Sequence, residues 1–184
     1  SMKKLLLVAC FTLFLFTFQK AQVPTAMPSA AIAFFNKAVP IIRPELKDFI
    51  TRKSIILKNH RANGDSLQEK FRKERLLKTM GNNDITGLVV LVMVQGSINA
   101  DDELKQMVMA ISRGGNYNGN GSATAKSVSL KSKENKSLSA EDLQQMENLK
   151  LQAIMDRKSE IAKEVNYLMQ KISGAQPAII ADLK

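Results

Sequence analysis

Cysteine is nearly missing from this chain of 184 residues: Cys10 is the only one, and it lies inside an apolar stretch at the N-terminus. Once that stretch is removed no cysteine remains, which excludes disulfides, zinc–thiolate sites and cysteine nucleophiles. Histidine is equally scarce. His60 stands alone with Lys58 and Arg61 close by, so no histidine-based zinc site can form and the neighbouring charges repel a cation. Aromatic residues are few, and the basic segments contain only Phe71, which offers little for nucleic-acid bases to stack on. A long apolar run is lacking as well. The longest, Leu5 to Phe18, has 14 residues and would cover roughly 21 Å as a helix, short of the ~30 Å hydrocarbon core.

What is present at the start is the order of a secretory signal: Lys3 and Lys4, then the apolar run, then Gln19-Lys20-Ala21 leading into a polar stretch with prolines. Ser1 ahead of Met2 reads as an added residue. Cleavage is expected after Ala21, giving a signal peptide over 1–21, although Gln19 is larger than the small residue usual two positions earlier. The expectation is a bacterial protein exported to the periplasm or cell surface. Leu7-Val8-Ala9-Cys10 resembles the lipobox of bacterial lipoproteins. Here the apolar region continues past the cysteine instead of ending at it, so the reading is against lipidation.

Residues 22–184 carry 24 basic and 17 acidic side chains, a net charge of +7 against +10 for the whole chain. They number 163, enough for one domain or a compact pair of subdomains. The excess suits anionic partners such as lipid headgroups, glycans or an acidic protein. A solvated basic surface is the plainer reading.

Gln22 to Pro28 reads as an extended arm. Ser29 is expected to cap a helix from Ala30 to Val39 that presents Ile32, Phe35 and Val39 on one side, with Pro40 as its stop. Pro44 suits a helix start, and Leu46, Phe49, Ile50, Ile56 and Leu57 keep helical spacing to about Ala62. Asn63-Gly64 then predicts a helix stop, and Ser66 with Glu69 a capping box opening a helix to Met80. A smooth bend in one long helix is the alternative. Gly81 to Asp84 closes that helix and caps the next.

From Ile85 the chain carries Leu88-Val89-Val90-Leu91-Val92-Met93-Val94, which valine content alone would allow as a buried strand. Helical caps on its flank, and Leu104, Met107, Val108 and Ile111 beyond it, favour helix, with a kink near Gly96 and a restart at Asn99 to Asp102. Residues 22–113 thus form an N-terminal helical region. Residues 114–138, rich in Gly, Ser and Lys, read as a flexible connector. Residues 139–184 form a long C-terminal helix and tail. Ser139 and Asp142 make its capping box, Leu138 and Leu143 its hydrophobic staple. Leu143, Met146, Ile154, Ile161, Val165, Leu168 and Ile172 line one face to Gly174. After Pro177, Ile179, Ile180 and Leu183 are free to dock. No internal repeat is visible. The fold class expected is all-α: a helical bundle in which the long C-terminal helix packs on the central apolar helix, with 22–184 as one domain.

Gly64-Asp65-Ser66-Leu67 resembles the motif for which one family of serine esterases is named. That family places an Asp-x-x-His pair near the C-terminus, and Ala181-Asp182-Leu183-Lys184 has no histidine. A serine nucleophile needs an oriented base, and helix capping explains the four residues better. Asp101-Asp102-Glu103 suits a helix's first turn more than a calcium loop. Gly119-Asn120-Gly121-Ser122 lacks the lysine of a phosphate loop. Lys70, Arg72, Lys73, Arg75 and Lys78 form a basic run, repeated at Lys126, Lys131, Lys133 and Lys136. No catalytic, cofactor-binding or metal-binding residue is nominated, and no small-molecule substrate is evident. The reading is a non-enzymatic interaction protein, a scaffold, assembly subunit or periplasmic chaperone, that meets a protein partner or copies of itself through amphipathic helix faces. An anionic membrane surface is a second partner, and nucleic acid is set aside. The competing reading is a membrane-active protein that inserts the helix containing Leu88 to Val94 into a bilayer.

Overall fold

Residues 26–58, 63–112 and 140–184 are described by a computed structural model, and every regular element among them is helical. In chain order these are α1 (Ser29–Ala38), α2 (Pro44–Ile56), α3 (Gly64–Arg72), a 3-10 turn (Arg75–Leu77), α4 (Asn82–Ser112), α5 (Ala140–Lys171) and α6 (Gln176–Asp182). The connector and the signal segment lie outside the described residues. So do His60 and the capping box at Ser139.

The valine-rich run decides the architecture. Leu88 to Val94 is buried on all sides within α4, so the helix needs neighbours around its whole circumference. α1, α2, α3, α5 and α6 supply them, and α5 packs along α4 most extensively. Ile161, Val165, Leu168 and Ile172 of α5 join one core with Phe34, Leu46, Phe49, Phe71 and Ile179. Lys158 meets Asp101 and Arg157 meets Glu103, so the two long helices run antiparallel. The long C-terminal helix is packed on the central apolar helix, as the sequence pattern implied.

Several local expectations are corrected. Gly64 is not a helix stop. It opens α3, with Asn63 as the N-cap whose Oδ1 accepts from Ser66 N at 2.8 Å. The residue there is glycine because α5 crosses it closely: a Cβ would sit 2.8 Å from Leu168 Cδ1. Its N–H donates to Glu164 Oε2 at 2.9 Å, so a side chain 100 positions away completes the cap. Ser66 therefore lies inside the first turn and is not the cap. α3 stops at Arg72, short of Met80, because the chain turns extended at Glu74 and re-enters as the 3-10 turn that buries Leu77.

Gly96 produces no break either. α4 runs unbroken from Asn82 to Ser112, and Gly96 is where Leu57 Cδ1 presses in, 2.9 Å from where a Cβ would be. Close helix packing, not backbone freedom, explains that glycine. At the start of α4 the sequence reading was nearer: Gly81 N donates to Asp84 Oδ2 at 2.9 Å. α2 ends at Ile56, before Ala62. α1 includes Ser29, and its N-cap position is Pro28. Ile32 and Ile56 face outward, because the core side of their helices is held by Ala31, Phe34, Leu46, Phe49 and Leu57. α5 ends at Lys171, and Gly174 takes the left-handed turn (φ +85°) that redirects the chain into α6. Ile179 and Leu183 then dock in the core, and Ile180 packs partly against it.

Candidate interaction surface

Beyond Ala100 the two long helices carry a second, smaller core of Ala100, Met107 and Ile154, flanked by Leu104 and Leu151. Met146 is 44% exposed, a departure from the expected buried stripe. Val108 (55%), Ile111 (43%) and Leu149 (65%) are exposed in the same region. These ends of α4 and α5 thus carry these four exposed apolar side chains. Beside them a groove of about 490 Å³ runs between α4 and α5, lined by Met27, Leu104, Val108 and Met155, with the Asp101–Lys158 pair also in its wall.

A polar cleft of about 340 Å³ lies on another side, where the end of α2 meets α4 and α5. Glu103 accepts from Arg157 Nη2 at 3.0 Å and pairs with Lys58 Nζ at 3.2 Å. Arg157 Nη1 also donates to the backbone carbonyl of Lys58 at 2.5 Å, so one guanidinium ties α5 to α4 and to the turn that follows α2. Asn99 Nδ2 donates to the buried Ser54 Oγ at 3.1 Å beneath them. The Glu103 and Arg157 side chains are each only 16% exposed, which leaves their pairing little screened by solvent. Arg157→Ala should lower stability by about 1.5–3 kcal/mol, the range for hydrogen bonds to charged groups. Urea denaturation would show this as a lower midpoint at unchanged slope.

The nominated sequence features are dispersed by this arrangement. Asp101, Asp102 and Glu103 do not converge: Asp101 pairs with Lys158, Asp102 with Lys105 at 3.6 Å, and Glu103 with the cleft cations. Among the described residues no group of three or more potential ligands could hold a metal ion. Ser66 is exposed at the start of α3, and the nearest acid of its motif, Asp65, is engaged elsewhere. Lys171 Nζ donates to Asp65 Oδ1 at 2.8 Å, and this hydrogen bond holds the Asp65 carboxyl below its usual 3.8. The same contact raises Lys171 above 10.5.

The signs follow from these directions. The depressed Asp65 stabilises the fold above about pH 4 and loses its contribution as pH falls through its lowered value. The raised Lys171 contributes below 10.5 and stops as pH rises through its own elevated value. Asp65→Asn should therefore melt slightly lower than the parent near neutrality, and by a smaller margin in acid below the usual 3.8. Paired melting curves at the two pH values check this.

The sequence signalled the cations of α3 but not their partners. Lys53 Nζ lies 2.5 Å from Glu74 Oε1, and Lys73 Nζ 2.8 Å from Glu69 Oε1. Lys70, Arg75 and Lys78 make no ion pair among the described residues, and Arg72 shares Glu69 with Lys73. No protein-family model, curated protein or solved structure matches the chain.

Proposed function

We propose that the protein is an exported, non-enzymatic helical interaction protein, a scaffold, assembly subunit or periplasmic chaperone, whose partner is a protein held by the apolar ends of α4 and α5. The observation that supports this reading is the exposure of Val108, Ile111, Met146 and Leu149 around a second, small core. Aliphatic side chains gathered on antiparallel helix ends suit a partner helix or an apolar segment laid into the groove. The test is chemical cross-linking of the protein in its native envelope, followed by the variant Val108→Asp/Leu149→Asp. Both positions are exposed, so the variant should melt within about 1 °C of the parent. The cross-linked complex should be lost. A complex that survives the double variant would move the partner elsewhere.

The membrane-inserting alternative faces a specific obstacle. Leu88 to Val94 is core, so insertion requires the bundle to open and Ile161, Val165 and Leu168 to lose their partners. No helix among the described residues is long and apolar enough to cross a membrane. Vesicles loaded with a self-quenching dye should retain it at low micromolar protein.

A further inference from the structure

The end of α2, α3 and the 3-10 turn share one face of the bundle, and its charge is unbalanced. The acids of α3 and the turn are consumed: Asp65 by Lys171, Glu69 by Lys73 and Glu74 by Lys53. Lys70, Arg75 and Lys78 remain exposed and without an ion pair among the described residues, and Arg72, also exposed, shares Glu69 with Lys73. The Lys53–Glu74 pair draws the turn against α2, beside a small cleft of about 100 Å³. That cleft has Leu57 and Phe71 in its floor and Lys53, Lys70 and the exposed Ile56 on its rim. Leu76, 45% exposed, stands between Arg75 and Lys78, while its neighbour Leu77 is fully buried. The turn thus uses one leucine for the core and presents the other outward among cations.

We propose that this face docks on an anionic lipid bilayer, with Lys70, Arg72, Arg75 and Lys78 among the headgroups and Leu76 at the boundary of the acyl chains. Charge complementarity carries the argument, since each cation near an anionic surface strengthens partitioning about fivefold. The apolar component is two separated aliphatic side chains, not a contiguous patch. A fluid interface accepts such scattered insertions without shape complementarity, and long basic side chains reach past them to the phosphates. Nucleic acid fits less well, because Phe71 is buried edge-on against Phe49 at 4.9 Å and offers no ring for stacking. This docking is separate from the apolar ends of α4 and α5 and leaves Leu88 to Val94 in the core.

Co-sedimentation of the full chain with vesicles of about 30% phosphatidylglycerol in phosphatidylcholine, against phosphatidylcholine alone, tests it. The readout is the ratio of the two affinities in parent and variants, since Lys3, Lys4 and Lys20 of the N-terminal segment also favour anionic lipid and are the same in all of them. The anionic vesicles should bind at least tenfold tighter, and the ratio should shrink as salt is raised. Lys70→Glu/Arg75→Glu/Lys78→Glu should lower the ratio at least fivefold relative to the parent, with the helical circular dichroism retained. Leu76→Asp should weaken anionic binding several-fold. Lys37→Glu/Lys184→Glu, at the other end of α2's long axis, should leave at least half the preference. A ratio near one for the parent, or equal loss in the control variant, overturns the proposal. So does tighter binding of RNA or polyglutamate through the same three cations.

Discussion

Leu168→Ala should cost about 2–5 kcal/mol, the range for emptying a fully buried leucine site. At about 2–4 °C per kcal/mol for a domain of this size, the melting temperature should fall by roughly 4–20 °C. The upper half of that range is expected. Leu168 is fully buried and its methyl groups press on Gly64, where α3 has no side chain that could relax into the space. The N–H of that same glycine is held by Glu164 one turn earlier on α5, so the backbone is pinned next to the cavity. Thermal melts of the two proteins, with Leu149→Ala as an exposed control, give the comparison. A shift at Leu168 no larger than at Leu149 would mean that the α5 stripe is not the domain core.

Val92→Asp should abolish cooperative folding. Val92 is fully buried in the middle of α4, amid Leu88, Leu91 and Met93, and the described core around it is apolar. An unpaired carboxylate there either stays charged at a prohibitive desolvation cost or takes up a proton and leaves a buried hydroxyl without a partner. Either outcome consumes much of the 5–15 kcal/mol that a domain has in hand. The spectrum should lose its sharp melting transition near neutral pH. A cooperative melt within a few degrees of the parent would show that this segment is reached by water, as the membrane-inserting reading requires.

How far the sequence could be read differs between elements for identifiable reasons. The all-α class and the pairing of the last long helix with the valine-rich one were legible, because apolar spacing at i, i+3 and i+4 is a property of single helices. Glycine was the main source of error. Gly64 and Gly96 look like breaks when only backbone freedom is considered, yet each is small so that Leu168 or Leu57 can come close. That need arises from a helix distant in sequence, and no local pattern encodes it. The candidate surfaces divide in the same way. The basic run of α3 was visible as composition, but which of its cations stay unneutralised depends on Lys53 reaching Glu74 across the packing of α2. The cluster of Arg157, Glu103 and Lys58 left no trace in the sequence, since its members lie on two helices and a turn far apart in the chain. Exposure of Val108 and Met146 depends on register, which periodicity does not determine.

The contact of Glu164 with Gly64, and of Arg157 with the carbonyl of Lys58, joins parts of the chain about a hundred positions apart. During synthesis this becomes a matter of timing. In a chain exported as it is made, Val94 emerges 67 residues before Ile161, and at about 5–20 residues per second that interval lasts roughly 3–13 s. Throughout it, α4 has only α1, α2 and α3 to lie against, and the side that α5 will cover stays open. The nascent chain therefore passes through a stage in which its most apolar helix is half dressed and prone to associate with whatever apolar surface is near. A factor that shields α4 for those seconds should raise the yield of folded protein, and one that acts only after α6 is made should come too late.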